Sequence, residues 1–224
     1  MSGIEVVRHP RARRMRLSVD SASGVVRLTL PPRGSKRDGL AWAQSKRDWI
    51  EAQRARLPTA TPFVSGAVIP FGDGTLHLEW DAGAPRMPRS DGERLIVGGP
   101  VDGFSTRVER WLKRQALAAL TDETMTAAVR AGVPVERVAI GDPRARWGSC
   151  SSSGTIRYSW RLICAPRAVL AFVAAHEVAH RRHMNHGAAF HALEAELLGH
   201  DPRPATAWLR RHGAALHWLG KPGS

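Results

Sequence analysis

Two histidines and a glutamate stand at the spacing that a hydrolytic metal centre requires. His176 and His180 are four residues apart, and Glu177 directly follows the first of them. On a helix, residues at this spacing lie one turn apart on the same face, so both imidazoles can reach one ion. Glu177 points off that face and is a candidate general base for a water molecule beside the ion. The apolar run at 169–175 predicts a buried helix, in which unpartnered polar side chains would be costly.

A third ligand is expected, because a catalytic zinc site usually takes three protein ligands and leaves one position for water. If the helix continued, His183 would lie about 10 Å from the first ligand along the axis, too far to share its ion. The helix must therefore turn, and residues 185–187, Asn-His-Gly, have the composition of a turn. We favour His186, with His191 and Glu194 on the following helix as alternatives. His183 is interpreted as a solvated residue near the site entrance.

The ligand types favour zinc, one ion per chain, although histidine sites also accept cobalt, nickel or manganese. The predicted chemistry is metal-assisted hydrolysis. In it, zinc lowers the pKa of water and polarises a carbonyl, while Glu177 takes the proton of the water and passes it to the leaving amine.

The pattern of apolar residues predicts a chain of mixed α and β elements. Strands are expected at 17–20 and 24–30 as a hairpin, then at 68–71, 75–80, 94–97, 135–140 and 155–160. Helices are expected at 35–56, 105–131, after Pro166, and at 188–198 and 204–219. Residues 81–92 are predicted as a loop. A composition shift near Pro100 predicts a basic, β-rich region at 1–100 with one helix, and a catalytic core at 101–224, which could pack as a single unit.

Composition limits the class of protein. The chain has 224 residues, 43% of them hydrophobic, enough for a sizeable core. No apolar run reaches the length of a membrane span, and the amino terminus lacks the apolar core of a signal peptide, so a cytoplasmic protein is expected. Cys150 and Cys164 are too few for a disulfide framework and are expected to be reduced, Cys164 as a small core residue.

The positive charge of the chain bears on its partners. The net charge is +13, which lowers the cost of bringing phosphates near and favours DNA, RNA or nucleotide contact. The densest basic cluster is near the amino terminus, at Arg11, Arg13, Arg14 and Arg16. A phosphate-binding patch and a solvated edge strand protected by its charge are both compatible with this cluster.

Several motifs together resemble one known family. They are Arg146-Trp147-Gly148-Ser149-Cys150-Ser151, Gly154-Thr155-Ile156-Arg157, Trp160-Arg161-Leu162, Pro166, His176-Glu177-x-x-His180, Met184-Asn185-His186 and Phe190. This set closely resembles the YgjP-like metallopeptidase family, which is related to the SprT-like (WLM) zinc metalloproteases. The resemblance covers nearly the whole chain.

The resemblance implies an α+β, zincin-like fold in which the metal helix packs on a small, mostly antiparallel sheet. It implies that His176, His180 and His186 are the zinc ligands, that Glu177 is the base, and that the substrate is a protein or peptide. In a zincin, the edge strand beside the metal can hold an extended peptide, and the hairpin at 147–160 is the candidate for that edge.

The remaining candidate contacts to substrate are less specific. Arg146 and Trp147 precede the predicted edge, and a packed tryptophan with a salt-bridged neighbour is slightly favoured over substrate contact for them. An oxyanion stabiliser is usually needed as well. Tyr158, Arg161, Asn185 and His191 are the candidates for it, and the sequence does not rank them.

Two alternative functions use the same residues. The zinc and Glu177 could hydrolyse a phosphoanhydride, which would make the protein a nucleotide phosphohydrolase or pyrophosphatase, although no P-loop is present. A non-catalytic, zinc-stabilised nucleic-acid-binding protein is the second alternative. A base beside the ligands disfavours this alternative, because structural zinc sites are usually closed by a fourth ligand.

Overall fold

A computed structural model describes residues 3–223, which are organised in two compact units, 1–59 and 60–224. Each unit combines sheets with helices. The α+β class predicted from the sequence is therefore confirmed.

The first unit is a three-stranded sheet with two helices. Its strands are β1 (Glu5–Arg8), β2 (Arg16–Val19) and β3 (Val26–Leu30), and its helices are α1 (Lys36–Ser45) and α2 (Arg47–Arg54). β3 is central, antiparallel to β2 as the predicted hairpin requires, and parallel to β1. Leu28, Leu30 and Ala43 form the buried core of this unit.

The single helix predicted at 35–56 is wrong, because the chain bends at Lys46 and forms two helices. α1 contacts β3, whereas α2 contacts β2. A straight helix could not follow both strands of a twisted sheet. The predicted start is confirmed, since the Ser35 hydroxyl accepts a hydrogen bond from the Asp38 amide at 3.2 Å, as an N-cap does.

The second unit begins with a four-stranded sheet. Its strands are β4 (Val68–Phe71), β5 (Gly74–Trp80), β6 (Arg89–Asp91) and β7 (Arg94–Val97), in the order β4-β5-β7-β6. β6 lies within residues 81–92, which were predicted as a loop. All three of its residues are exposed, so it has no apolar alternation that the sequence could reveal. Gly92, at φ 72°, closes its hairpin with β7.

The helix α3 (Phe104–Ala131) carries the core of the second unit and confirms the prediction for 105–131. It ends at Gly132, whose φ of 62° is the left-handed conformation common at helix ends. Its buried Val108 and Leu112 belong to the same core as Leu78 of β5 and Val97 of β7. The division between compact units consequently follows Thr59 and differs from the expected boundary near residue 100.

A second sheet of this unit lies beside the predicted metal helix. β8 (Arg137–Gly141), β9 (Gly148–Cys150) and β10 (Thr155–Ser159) are arranged in the order β8-β10-β9. β10 is antiparallel to β9, as in the predicted hairpin, and parallel to β8. The sheet is therefore mixed rather than mostly antiparallel, because β8 joins the hairpin on the far side of β10.

Three helices complete the chain: α4 (Arg167–Ala179), α5 (Ala188–Leu198) and α6 (Arg203–Leu216). α4 contacts α3, α5, α6 and β9, so it is central in its unit. Within residues 3–223, no helix is both long and apolar enough to cross a membrane.

Candidate metal centre

The end of α4 presents two imidazoles. Most of the helix is buried, and His176 and His180 are half-buried at its carboxyl end. The last α4 residue is Ala179, and His180 is the C-cap. The helix therefore ends before a third residue of the ligand face, as predicted. His183 is half-buried, and its amide donates a hydrogen bond to the Ala179 carbonyl at 3.0 Å in the turn that follows.

The turn after α4 brings His186 close to His176 and His180. Its Nε2 lies 3.3 Å from Nε2 of His176, and ligand atoms of His176, His180 and His186 all lie within 4.8 Å of one another. In the described part of the chain, these three residues are the group of histidine, cysteine or acidic side chains that could hold an ion. The sequence prediction thus placed together the residues that the fold brings together.

Outer hydrogen bonds set the orientation of two of these rings. Nδ1 of His176 lies 2.6 Å from Oε1 of Glu194, and Nδ1 of His180 lies 3.1 Å from the His183 carbonyl oxygen. With Nδ1 occupied, each ring keeps Nε2 for a metal, and such partners typically fix the tautomer of a ligating histidine. Three imidazoles converging in this way fit a tetrahedral ion with one open position.

The Phe190 ring packs against the imidazole rings of all three histidines. Its side chain is fully buried on α5, and its ring centroid lies 5.0, 4.7 and 4.6 Å from those of His176, His180 and His186. Packing against one rigid aromatic ring restricts the rotamers of the imidazoles, so the histidines are held before any ion binds.

The alternative ligands His191 and Glu194 occupy different positions. Glu194 is buried on α5, and its second oxygen, Oε2, lies 3.2 Å from Nδ1 of the exposed His191. Burial raises the pKa of Glu194, but hydrogen bonds to His176 and His191 outweigh this effect and hold it below its usual value. Both carboxylate oxygens therefore contact imidazoles, and Glu194 is a hydrogen-bond partner of His176 rather than a member of the histidine group.

Glu177 is buried beside the histidines, with 5% of its surface exposed. Its carboxylate lies against Gly148 of β9, where an added Cβ would come within 2.6 Å of the Glu177 Cγ. Burial raises the pKa of Glu177 to about 7, against the opposing charges of His176 and Arg146. A carboxylate with this pKa can both accept and return a proton near neutral pH.

Two residues predicted to contact substrate, Tyr158 and Arg161, instead bind other parts of the protein. Tyr158 is fully buried, its hydroxyl lies 2.8 Å from Thr124 Oγ1, and burial strongly raises its pKa. Arg161 pairs with Asp142 at 2.7 Å and donates to the carbonyls of Leu216 and Leu219. Neither side chain is available to a substrate, because its polar atoms already hold parts of the fold together.

The other predicted contacts lie nearer to solvent. Trp147 is half-buried and stacks on His217 at 5.0 Å between ring centroids, which matches the packed interpretation. Arg146 is exposed and forms no ion pair among residues 3–223, unlike the salt-bridged neighbour that the packed interpretation expected. Asn185 is exposed in the turn before His186.

Sequence reasoning missed two supporting residues. The sequence predicts Glu194 only as an alternative ligand and contains Gly148 only as part of a family motif. A glutamate three residues after His191 on a predicted helix was a weak signal for its role, whereas the close approach of Gly148 to Glu177 had no signal in the sequence. Both cysteines are free as expected, with Cys164 in the core.

Comparison with protein families gave one result. A family model described as YgjP-like, metallopeptidase domain, matches residues 13–212. Curated proteins gave no match, and neither did solved structures.

Proposed function

Since the chain belongs to the YgjP-like metallopeptidase family, as its motifs indicated, we propose that it is a zinc-dependent peptidase. In this proposal His176, His180 and His186 hold one zinc ion, and Glu177 is the general base. A family of metallopeptidases implies a metal ion and a protein or peptide substrate, and the proposal adds the identity of the ion and the role of each residue.

The observation that carries the proposal is the convergence of three imidazoles beside a buried carboxylate. The ligand atoms lie within 4.8 Å of one another, and Glu177 directly follows the first of these histidines. A structural zinc site would more often be closed by a fourth protein ligand. The described residues supply three, which favours catalysis over the non-catalytic alternative.

The roles of the side chains follow from their surroundings. Zinc in such a site supplies a Lewis acid that lowers the pKa of water and polarises a carbonyl. Glu177 accepts the proton of the attacking water and delivers it to the leaving amine, a role that its buried position next to His176 supports. Glu194 and the His183 carbonyl keep Nε2 of two imidazoles directed at the ion.

The edge of β9 is the proposed binding site for an extended peptide. The residues that flank β9, Trp147 and Ser151, hydrogen-bond to the β10 side at 2.8 and 2.9 Å. Bonded and outward-facing residues alternate along an antiparallel strand, so the main-chain groups of Gly148 and Cys150 point away from β10. A substrate strand can pair with these groups beside Glu177. Arg146 and Asn185, both exposed, are proposed to contact the same substrate.

A nucleic-acid contact is proposed for the first unit. Residues 1–59 hold 13 of the 33 Lys and Arg residues but 5 of the 20 Asp and Glu residues. Arg11, Arg13, Arg14 and Arg16 form no ion pair within the described residues. Binding of an oligonucleotide that weakens steeply with salt and with loss of these arginines would support the contact.

The test of the peptidase compares Glu177→Gln with the wild type and with Glu196→Gln, an identical change at an exposed position of α5. Metal content is measured by mass spectrometry, and hydrolysis is measured on an unfolded protein and on nucleoside triphosphates. We expect about one zinc in each protein. Proteolysis should be lost only in Glu177→Gln.

Two results would contradict the proposal. Equal proteolysis by Glu177→Gln and wild type would remove Glu177 as the base. Phosphate release from nucleotides without proteolysis would favour the nucleotide phosphohydrolase and leave the metal centre intact.

A further inference from the structure

A second concave site lies in the same unit, around the start of α3. It is a hollow of about 620 Å³, a volume in the range of small-molecule sites. Four arginines line it, Arg86, Arg107, Arg110 and Arg114, and no acidic residue does. None of its lining residues belongs to the candidate metal centre or hydrogen-bonds to it.

Three of these arginines come from one helix face. Arg107, Arg110 and Arg114 are spaced by three and four residues along the first turns of α3, so their side chains are neighbours. Like charges at this spacing repel one another and destabilise a helix. A bound anion would offset this repulsion, because it would attract each of the guanidinium groups.

The guanidinium groups have no acidic partner of their own. Among the ion pairs of residues 3–223, none includes Arg86, Arg107, Arg110 or Arg114. Arg107 is anchored by donating to the Pro100 carbonyl, while its Nε is buried without an acceptor. The hollow thus contains a held cation with an unused donor beside three further positive charges.

The rest of the lining is largely apolar and includes Met87, Pro88 and Pro100. These residues bring no negative charge to the hollow, so its lining does not neutralise the four guanidinium groups. The planar fork of arginine matches the oxygens of a phosphate group, and several forks in one hollow suit an anion with several adjacent charges.

We propose that this hollow binds a small polyphosphate anion, either free or as the phosphate chain of a nucleotide. The site is separate from the metal centre and does not depend on the peptidase. Among the described residues, a buried guanidinium nitrogen without an acceptor, Nε of Arg107, distinguishes this hollow from the arginine cluster of the first unit.

The proposal is tested by calorimetric titration of the full chain with inorganic tripolyphosphate, ATP and citrate. The variant Arg110→Gln/Arg114→Gln removes two charges from the hollow. The matched control Arg210→Gln/Arg211→Gln removes two exposed charges from α6. We expect one tripolyphosphate per chain, binding weakened at least about tenfold by the first variant, and little change in the control. Tighter binding of ATP than of tripolyphosphate would show that the hollow binds the phosphate chain of a nucleotide rather than a free polyphosphate.

A third variant, Arg13→Gln/Arg14→Gln, separates this hollow from the arginine cluster of the first unit. The proposal is overturned if this variant loses tripolyphosphate binding while Arg110→Gln/Arg114→Gln keeps it. Citrate binding as tightly as tripolyphosphate would overturn the preference for phosphate. Equal losses in the variant and its α6 control would show that net charge, rather than the hollow, attracts the anion.

Discussion

Glu177 can occupy its position only because Gly148 has no Cβ atom. The carboxylate reaches the β9 backbone only because no Cβ occupies that space. The Cβ of an alanine at 148 would overlap the Glu177 side chain. That side chain must move, because the alanine itself is fixed in the backbone of β9. The residue type at 148 therefore affects the position of the proposed base.

We expect Gly148→Ala to reduce kcat by at least about tenfold and to destabilise the fold by about 1–3 kcal/mol, as overpacking of a close-packed site does. Metal content should be unchanged, because the three imidazoles do not contact residue 148. The measurements are steady-state kinetics, urea unfolding and metal analysis.

Gly141→Ala is the control for this substitution. Gly141 lies in the same sheet, and a Cβ there would lie 3.7 Å from Arg157 Cδ, an ordinary contact. It should behave like the wild type. Normal activity of Gly148→Ala would show that Glu177 acts from another position.

Glu194 is the second residue whose role depends on a partner. Its carboxylate accepts hydrogen bonds from His176 and His191, and it is 4% exposed. Glu194→Gln keeps the shape of the side chain but replaces one acceptor oxygen with a donor and removes the charge. Loss of such an outer partner typically weakens metal affinity about 10- to 100-fold.

Chelator competition should show this loss of zinc affinity in Glu194→Gln. Glu196→Gln, on the exposed face of the same helix, should bind zinc like the wild type. Unchanged affinity in Glu194→Gln would indicate that the imidazoles are oriented by Phe190 and the backbone alone.

At the scale of elements, Arg161 joins segments that are distant in the sequence. It lies in the short 3-10 helix Trp160–Cys164, pairs with Asp142 after β8, and donates to the carbonyl of Leu216 at the end of α6 and to that of Leu219 beyond it. Its side chain also stacks over Trp160, with the guanidinium carbon 4.6 Å from the ring centroid. These contacts indicate a structural role.

Arg161→Met should lower the free energy of unfolding by about 3 kcal/mol, because it leaves two buried carbonyls and one carboxylate without their donor. Urea denaturation measures this loss. KM for a peptide should stay unchanged at temperatures where the variant is folded. A raised KM with normal stability would restore Arg161 as a substrate contact. Arg157→Met, at an exposed position of β10, is the matched control.

At the scale of the molecule, the two units have separate hydrophobic cores. Leu28, Leu30 and Ala43 form one cluster, and the residues of the other run from Phe63 to Leu219. Every predicted ligand and the proposed base Glu177 belong to the second unit.

A chain of residues 60–224 should therefore fold, bind zinc in the same stoichiometry and retain most of its unfolding free energy. Circular dichroism during urea denaturation and metal analysis would check this expectation against the full chain. Aggregation or loss of metal by the shorter chain would show that the first unit is required for the stability of the second.

Local spacing determined several features of this protein. His176 and His180 share a helix face in any helix, and the ligand spacing requires that this helix end before His186, so both features could be predicted from neighbouring residues alone. The exact end could not be predicted, because α4 already ends at Ala179, before the Asn-His-Gly segment. The same holds for α3 and for the β2–β3 hairpin, whose apolar periods are strong. The family motifs, read with this spacing, indicated the same site.

Tertiary packing decided what local spacing cannot encode. The partnership of Glu194 with His176 arises only when α5 packs on α4, and the contact of Gly148 with Glu177 arises only when β9 lies beside that helix. The bend at Lys46 and the inclusion of 60–100 in the unit that carries the three histidines likewise depend on which surfaces meet. Sequence periodicity indicates which face of a segment is buried. Which element packs against that face depends on all the contacts of the folded chain together, so it cannot be predicted from one segment.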